Sequence, residues 1–194
     1  TYDTLIMKNA QGEIGQLAML GKAAALVKRG ELRKAADVYL EFLILHPESD
    51  RVADAARRLK TASAQLIDDY FAKEDYLAVA YVYFRCYGAV ELQAGEYDQV
   101  NKIAVSLKEL GLMNDYLGIL NRYLEVADNE ELINKATLAV AEGLIILHKY
   151  DEALQKLNKL AAKPSMRQNS LLTILHKNMA EIAYRRELYD QAVA

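Results

Sequence analysis

Apolar residues recur every three or four positions along almost the whole chain, the spacing that places them on one face of an α-helix. Strand-type alternation is nearly absent, and Ala, Leu, Glu, Lys and Gln dominate the composition. The chain is therefore predicted to be all-α. Gly30, Pro47, Gly95, Gly111 and Pro164 mark breaks between the helices. The predicted helices lie at about 11–29, 32–46, 51–72, 76–93, 97–110, 114–127, 131–148, 150–162 and 168–187, with a tenth that begins at 189.

A short motif recurs along these helices: an acidic residue, then Leu or Tyr, then a small or aliphatic residue three places later. The acidic residue directly precedes the anchor in GELRKAAD, KEDYLAVA, GEYDQVNK and MNDYLGIL, and HKYDEALQ and ELYDQAVA are counted as further copies. When Tyr97 is assigned to an intervening helix, the remaining anchors are 44, 40, 34 and 39 residues apart, which is typical of stacked helix pairs. The anchors of the six copies are Leu32, Tyr76, Tyr97, Tyr116, Tyr150 and Tyr189.

The first predicted helix pair, AALVKRGELRKAADVYLEFLILHPES, resembles a complete unit of the tetratricopeptide repeat (TPR) family. Small Ala23 and bulky Leu26 match its first helix, Gly30 its turn and Pro47 its exit. The fourth pair resembles it again from Ala141 to Leu160, and the fifth begins at Ala180. This resemblance implies a right-handed α-solenoid of about 4.5 helix pairs in a single domain over 1–194. The pairs lie at about 11–47, 51–93, 97–127, 131–163 and 168–194.

The middle of the chain departs from the TPR pattern. Val79 and Ile119 stand where the family has a small residue, and neither of these pairs has the closing proline. The sequence leaves open an alternative phasing, in which 76–93 is the first helix of a pair.

Charge and hydropathy narrow the range of partners. The formal net charge is -3 and comes from interspersed acids and bases, so no basic stripe is present and nucleic acid is not a predicted partner. No run of about 18 apolar residues occurs, so the chain is not predicted to insert into a membrane.

No motif for catalysis is visible in the sequence. His46, His148 and His176 are far apart, and adjacent carboxylates such as Asp68 and Asp69 point in different directions on a helix. The single cysteine, Cys86, lies among aromatic residues and is predicted to be buried in the core. We therefore predict no enzyme activity, no cofactor and no metal site.

An aromatic run lies in the second helix of the second predicted pair. Tyr76, Tyr83, Phe84 and Tyr87 fall on one helical face, and Tyr81 points elsewhere. Such a run is either a helix–helix contact or an interface hot spot, and we favour the helix–helix contact.

The TPR resemblance implies a scaffold or adaptor that binds a partner protein or peptide in a concave groove lined by the first helices of the pairs. The apolar members of this groove could instead belong to the core. The phasing above assigns to the groove Leu20, Ala24, Val27, Asp68, Phe71, Lys108, Glu142, Ile145, Lys177, Glu181 and Tyr184.

The sequence leaves other functions open. YLEFLILHPESDRVADAARRL resembles TPR-type lipoproteins of bacterial envelopes, which favours the periplasm or envelope over the cytoplasm and a role in envelope complex assembly. The chain lacks a starting Met and stops inside a helical pattern, so we expect a fragment of a longer protein. It could instead be a helical accessory domain of a larger enzyme or secretion component. An exposed last helix would favour further repeats or a homo-oligomer.

Overall fold

A computed structural model describes residues 1–9, 12–166 and 170–193, and all regular elements in these ranges are helical. The all-α prediction is therefore confirmed. Short 3₁₀ turns at Tyr87–Ala89, Ala94–Glu96 and Pro164–Met166 connect some of the helices. The α-helices are α1 Tyr2–Lys8, α2 Glu13–Lys28, α3 Leu32–Leu45, α4 Val52–Phe71, α5 Tyr76–Arg85, α6 Tyr97–Glu109, α7 Met113–Val126, α8 Glu130–Ile146, α9 Tyr150–Ala161 and α10 Leu172–Val193.

The chain divides into two compact units, Thr1–Glu91 and Leu92–Ala194. The first unit contains α1–α5 and the second contains α6–α10. Within each unit, most packing is between helices that are consecutive in the sequence. This packing arises because each helix has an apolar face that its neighbour covers.

One turn geometry recurs between the helices of four pairs, α2–α3, α4–α5, α6–α7 and α8–α9. In each turn one residue has a left-handed backbone, and the next N–H donates to a carbonyl five residues earlier, which closes the first helix with a Schellman motif. The N···O distances of these bonds are 2.9 Å for Glu31 to Leu26, 3.0 Å for Asp75 to Tyr70, 2.8 Å for Leu112 to Leu107 and 2.8 Å for Lys149 to Leu144. The left-handed residues are Gly30, Glu74, Gly111 and His148, with φ of 75°, 57°, 72° and 59°.

The four turn residues define a common register, because the same positions relative to them are buried in every hairpin. One such position is seven residues before the turn residue, and three more are five, nine and twelve residues after it. The first position holds Ala23, Ile67, Ala104 and Ala141. The position five residues after the turn residue holds Ala35, Val79, Tyr116 and Ala153. The position nine residues after it holds Tyr39, Tyr83, Leu120 and Leu157, and the position twelve residues after it holds Phe42, Cys86, Tyr123 and Leu160. The register makes α4 and α6 first helices and α5 and α7 second helices.

This register corrects one of the predicted motif anchors. Tyr116 is not equivalent to Tyr76 and Tyr150, because the turn at Gly111 places Met113 at that position. Tyr116 instead occupies the small-residue position, five places after the turn. Its ring fits because Gly143 faces it, where a Cβ atom would lie 2.5 Å from the ring.

The predicted helices differ from the observed ones in three places. Helix α1 was not predicted, because seven residues are too few for a clear period. Helix α5 ends at Arg85 rather than 93: the chain turns back there, and a Cβ atom on Gly88 would lie 2.9 Å from the Tyr83 carbonyl oxygen. Helix α10 is continuous where a break was predicted at 188, since that sequence has neither Gly nor Pro. The side chain of the predicted anchor Tyr189 lies outside the described residues.

Candidate partner-binding surfaces

The groove residues predicted on the first helices of the four pairs, α2, α4, α6 and α8, fall at three register positions. These positions are ten, six and three residues before the turn residue. We call the side chains at these positions the first-helix face. In the first unit they are half-buried or exposed, and Val27 on α2 is 38% exposed. Phe71 on α4 is half-buried and contacts the Tyr76 ring edge-on, at 6.1 Å between centroids. The remaining members in the first unit are all half-buried: Leu20 and Ala24 on α2, and Ala64 and Asp68 on α4.

In the second unit the structure brings two predicted groove residues together. Lys108 on α6 donates a hydrogen bond from Nζ to Glu142 Oε1 on α8 at 2.9 Å. Both side chains are partly exposed, so the ion pair contributes at most about 1 kcal/mol to stability. It links α6 to α8 and leaves this part of the face without net charge.

Ile145 differs from the other predicted groove residues, because it is only 3% exposed. Its side chain belongs to the core of the second unit and is not available to a partner. Lys177, Glu181 and Tyr184 lie on one face of α10; Lys177 and Tyr184 are exposed, and Glu181 pairs with Arg185 at 2.8 Å.

The Glu142 carboxylate also lies near the buried Tyr116 ring. Tyr116 donates its hydroxyl hydrogen bond to the Ala139 carbonyl oxygen on α8 at 2.7 Å. Burial, followed by the negative charge of Glu142, raises the pKa of Tyr116 well above the usual tyrosine range. The α7–α8 contact therefore depends on a protonated phenol.

The aromatic run on α5 divides between core and surface. Tyr83 and Tyr87 are buried, as expected for a helix–helix contact, but Phe84 is 54% exposed and lies on the outer side with Tyr81 and Leu77. Leu77 and Tyr81 are 70% and 43% exposed, and the three residues are spaced i, i+4, i+7 on one helical face. We call them the α5 stripe.

The sequence predicts that Tyr81 points away from Phe84, which is wrong, but it carries a signal for the α5 stripe. The segment YLAVAYVYFR is apolar on nearly every side, whereas a helix that covers one core needs only one apolar face. The sequence favours a helix–helix contact and leaves an interface hot spot open, because the aromatic residues alone do not show which side the neighbours cover.

A cavity of about 270 Å³ lies beside the stripe, between α3 and α5. The Arg33 guanidinium lies over the Tyr81 ring, 4.8 Å from its centroid, and a hydrogen bond to Tyr81 raises the pKa of Arg33 above its usual value. Next to it, Arg85 donates from Nε to Asp37 Oδ1 at 2.8 Å. The cavity is lined by Arg33, Tyr70, Asp75, Leu77, Ala78 and Tyr81.

Cys86 is buried, as predicted, and burial raises the pKa of its thiol. Among the residues that the structure describes, no cluster of three His, Cys, Asp or Glu side chains could hold a metal ion. None of the described helices is both long enough and apolar enough to cross a membrane.

Comparison with known proteins finds no matching family model, no matching curated protein and no matching solved structure.

Proposed function

We propose that this chain is a protein-interaction scaffold built from TPR-like repeats, with the hairpins arranged as a right-handed α-solenoid. In this proposal the accessible side chains of the first-helix face, which exclude Ile145, bind a partner protein or peptide together with Lys177, Glu181 and Tyr184 on α10. The proposal assigns binding, and not catalysis, to the chain.

One observation carries the proposal: the four hairpins share their turns and buried positions, while the first-helix face differs from hairpin to hairpin. Six residues before the turn residue stand Ala24, Asp68, Val105 and Glu142, which are all half-buried. Shared buried positions with a variable face are what a repeat scaffold needs, because the buried side chains fix the backbone and the face selects the partner.

Affinity capture from a lysate of the source organism, quantified by mass spectrometry, tests the proposal. Val27→Asp and Tyr184→Asp place a charge on the predicted face of each unit without disturbing buried side chains. Phe71 and Ile145 are less suitable, because both take part in packing. Ile44→Asp on α3 is the matched control, since Ile44 is exposed but lies outside the first-helix face.

We expect at least one protein that wild type and Ile44→Asp capture equally and that Val27→Asp or Tyr184→Asp captures about fivefold less. Circular dichroism should show the same helical content in all four proteins. Capture that is unchanged in both face variants would refute the assignment of binding to this face.

A further inference from the structure

The α5 stripe stands out when the outward positions of the four second helices are compared in the common register. These positions lie three, seven and ten residues after the turn residue, and on α5 they hold Leu77, Tyr81 and Phe84. On the other second helices they hold Arg33, Asp37 and Leu40 on α3; Asn114, Gly118 and Asn121 on α7; and Asp151, Gln155 and Asn158 on α9.

The polar residues on α7 and α9 are all exposed, as expected for a face in water. Leu40 on α3 is apolar but half-buried. Three large apolar side chains that remain exposed at positions otherwise occupied mainly by polar ones need an explanation beyond the core, which Val79 and Tyr83 already form. Contiguous exposed apolar side chains with a polar rim are characteristic of protein interaction sites.

The size of the stripe indicates what covers it. From Leu77 to Phe84 the helix rises by about 10 Å, which is two turns. A stable contact between two globular subunits generally buries about 800 Å² on each side, far more than three side chains provide. One amphipathic helix with apolar residues at the same spacing fits such a surface.

The charge beside the stripe indicates the kind of side chain that the partner helix carries. Arg33 lies over Tyr81 without a carboxylate at ion-pair distance in the described part of the chain, whereas the neighbouring Arg85 pairs with Asp37. The guanidinium of Arg33 has further N–H donors, and a carboxylate accepts from them readily. Asp75 lies in the same cavity and accepts from the Ala78 N–H at 3.1 Å. Because two carboxylates repel each other, an incoming carboxylate would bind near Tyr81, away from Asp75.

We propose that the α5 stripe is a second docking surface, which binds an amphipathic helix of a partner protein through Leu77, Tyr81 and Phe84, with an acidic side chain of that helix on Arg33. This surface consists of second-helix residues and shares none with the first-helix face. The proposal is therefore independent of the function proposed above.

A peptide selection tests this proposal. Random peptides of about 16 residues, long enough for about four helical turns, are displayed on yeast and selected for binding to the full chain. Peptides that also bind Phe84→Asp are removed, and Ile44→Asp is the control for an exposed apolar residue outside the stripe. Phe84 and Leu77 are exposed, so their substitution by Asp leaves the core intact.

We expect selected peptides with apolar residues spaced i, i+3 or i+4, and i+7 and with enriched Asp or Glu. Leu77→Asp should weaken their binding about tenfold or more. Arg33→Gln should weaken it about two- to fivefold, an effect that added salt removes. Ile44→Asp should leave it unchanged.

Two results would overturn the proposal. The first is a selection that gives no peptide dependent on Leu77 and Phe84. The second is a dimer of the chain alone in sedimentation, abolished by Phe84→Asp, since a second copy would then be the occupant of the stripe.

Discussion

At the residue scale, the left-handed turn residues are the positions where sequence and backbone are most tightly linked. Gly30 and Gly111 adopt positive φ without a steric penalty, while Glu74 and His148 adopt it with a Cβ atom present. The packing of the two flanking helices fixes these φ values, and this is why the left-handed backbone of Glu74 and His148 could not be predicted from their chemical type.

Two glycine substitutions should have opposite effects on stability. A Cβ atom at Gly30 would contact nothing within 4 Å, so Gly30→Ala acts on the backbone alone and should lower the free energy of unfolding by about 1 kcal/mol. Gly118 lies exposed inside α7 with equally open surroundings, and Gly118→Ala should raise it by about 0.5–1 kcal/mol.

Urea unfolding followed by circular dichroism measures both changes. If Gly30→Ala proved as stable as wild type, a left-handed turn at this position would be excluded.

The motif comparison shows how far residue types alone could take the prediction. Tyr150 was placed correctly, two residues after its turn, but the acidic-then-tyrosine motif gave the wrong register for Tyr116. The sequence placed the small-residue position of this pair at Ile119, whereas Tyr116 occupies it, where Ala35 and Ala153 stand in two other hairpins. Gly143, on the next helix, leaves room for the Tyr116 ring. A pairing between residues so far apart in sequence is not visible in a motif.

At the element scale, the contact between α7 and α8 depends on Tyr116. Its hydroxyl donates to the Ala139 carbonyl oxygen, and its pKa is raised by burial and by Glu142. In the unfolded chain tyrosine releases its proton near pH 10. Above that pH the unfolded state therefore holds fewer protons than the folded state, and the stability from this contact is lost as pH rises.

We predict that the free energy of unfolding falls above pH 10 and that Tyr116→Phe makes this fall less steep, although the variant should be about 1 kcal/mol less stable near neutral pH. Urea titrations at pH 8, 10 and 11 provide the measurement. Tyr2→Phe is a control, because Tyr2 is exposed. Identical pH slopes for Tyr116→Phe and wild type would contradict the prediction.

The helices themselves were largely predictable because each has apolar residues on the face that its neighbours cover. Boundaries at Gly30 and Gly111 were close to those observed, since glycine marks the turn directly. The exposed side of α5 was harder to predict, because its apolar residues are on both sides and only burial separates Tyr83 from Phe84. The sequence leaves the same choice between core and surface open at Ile145, which is buried.

At the scale of the whole molecule, the chain divides after Glu91 into two compact units. Each unit has its own buried side chains and is held together by contacts between consecutive helices. Because such contacts are local in sequence, each unit should fold without the other.

We predict that residues 1–91 and 92–194, expressed separately, are both helical and unfold cooperatively in urea. A division after Gly111 is the matched control, because it separates α6 from α7 within one hairpin and should give poorly folded pieces. A piece that shows no cooperative transition after the division at 91 would contradict the independence of that unit.

The common register of the four turns also makes the outward side chains exchangeable between hairpins. Asn114→Leu, Gly118→Tyr and Asn121→Phe would reproduce on α7 the apolar triplet of α5, at positions that are already solvent-facing. The number of docking sites per molecule is thus separable from the fold. Valency, and with it the avidity for a partner that presents several helices, becomes a property that can be set by surface substitutions alone.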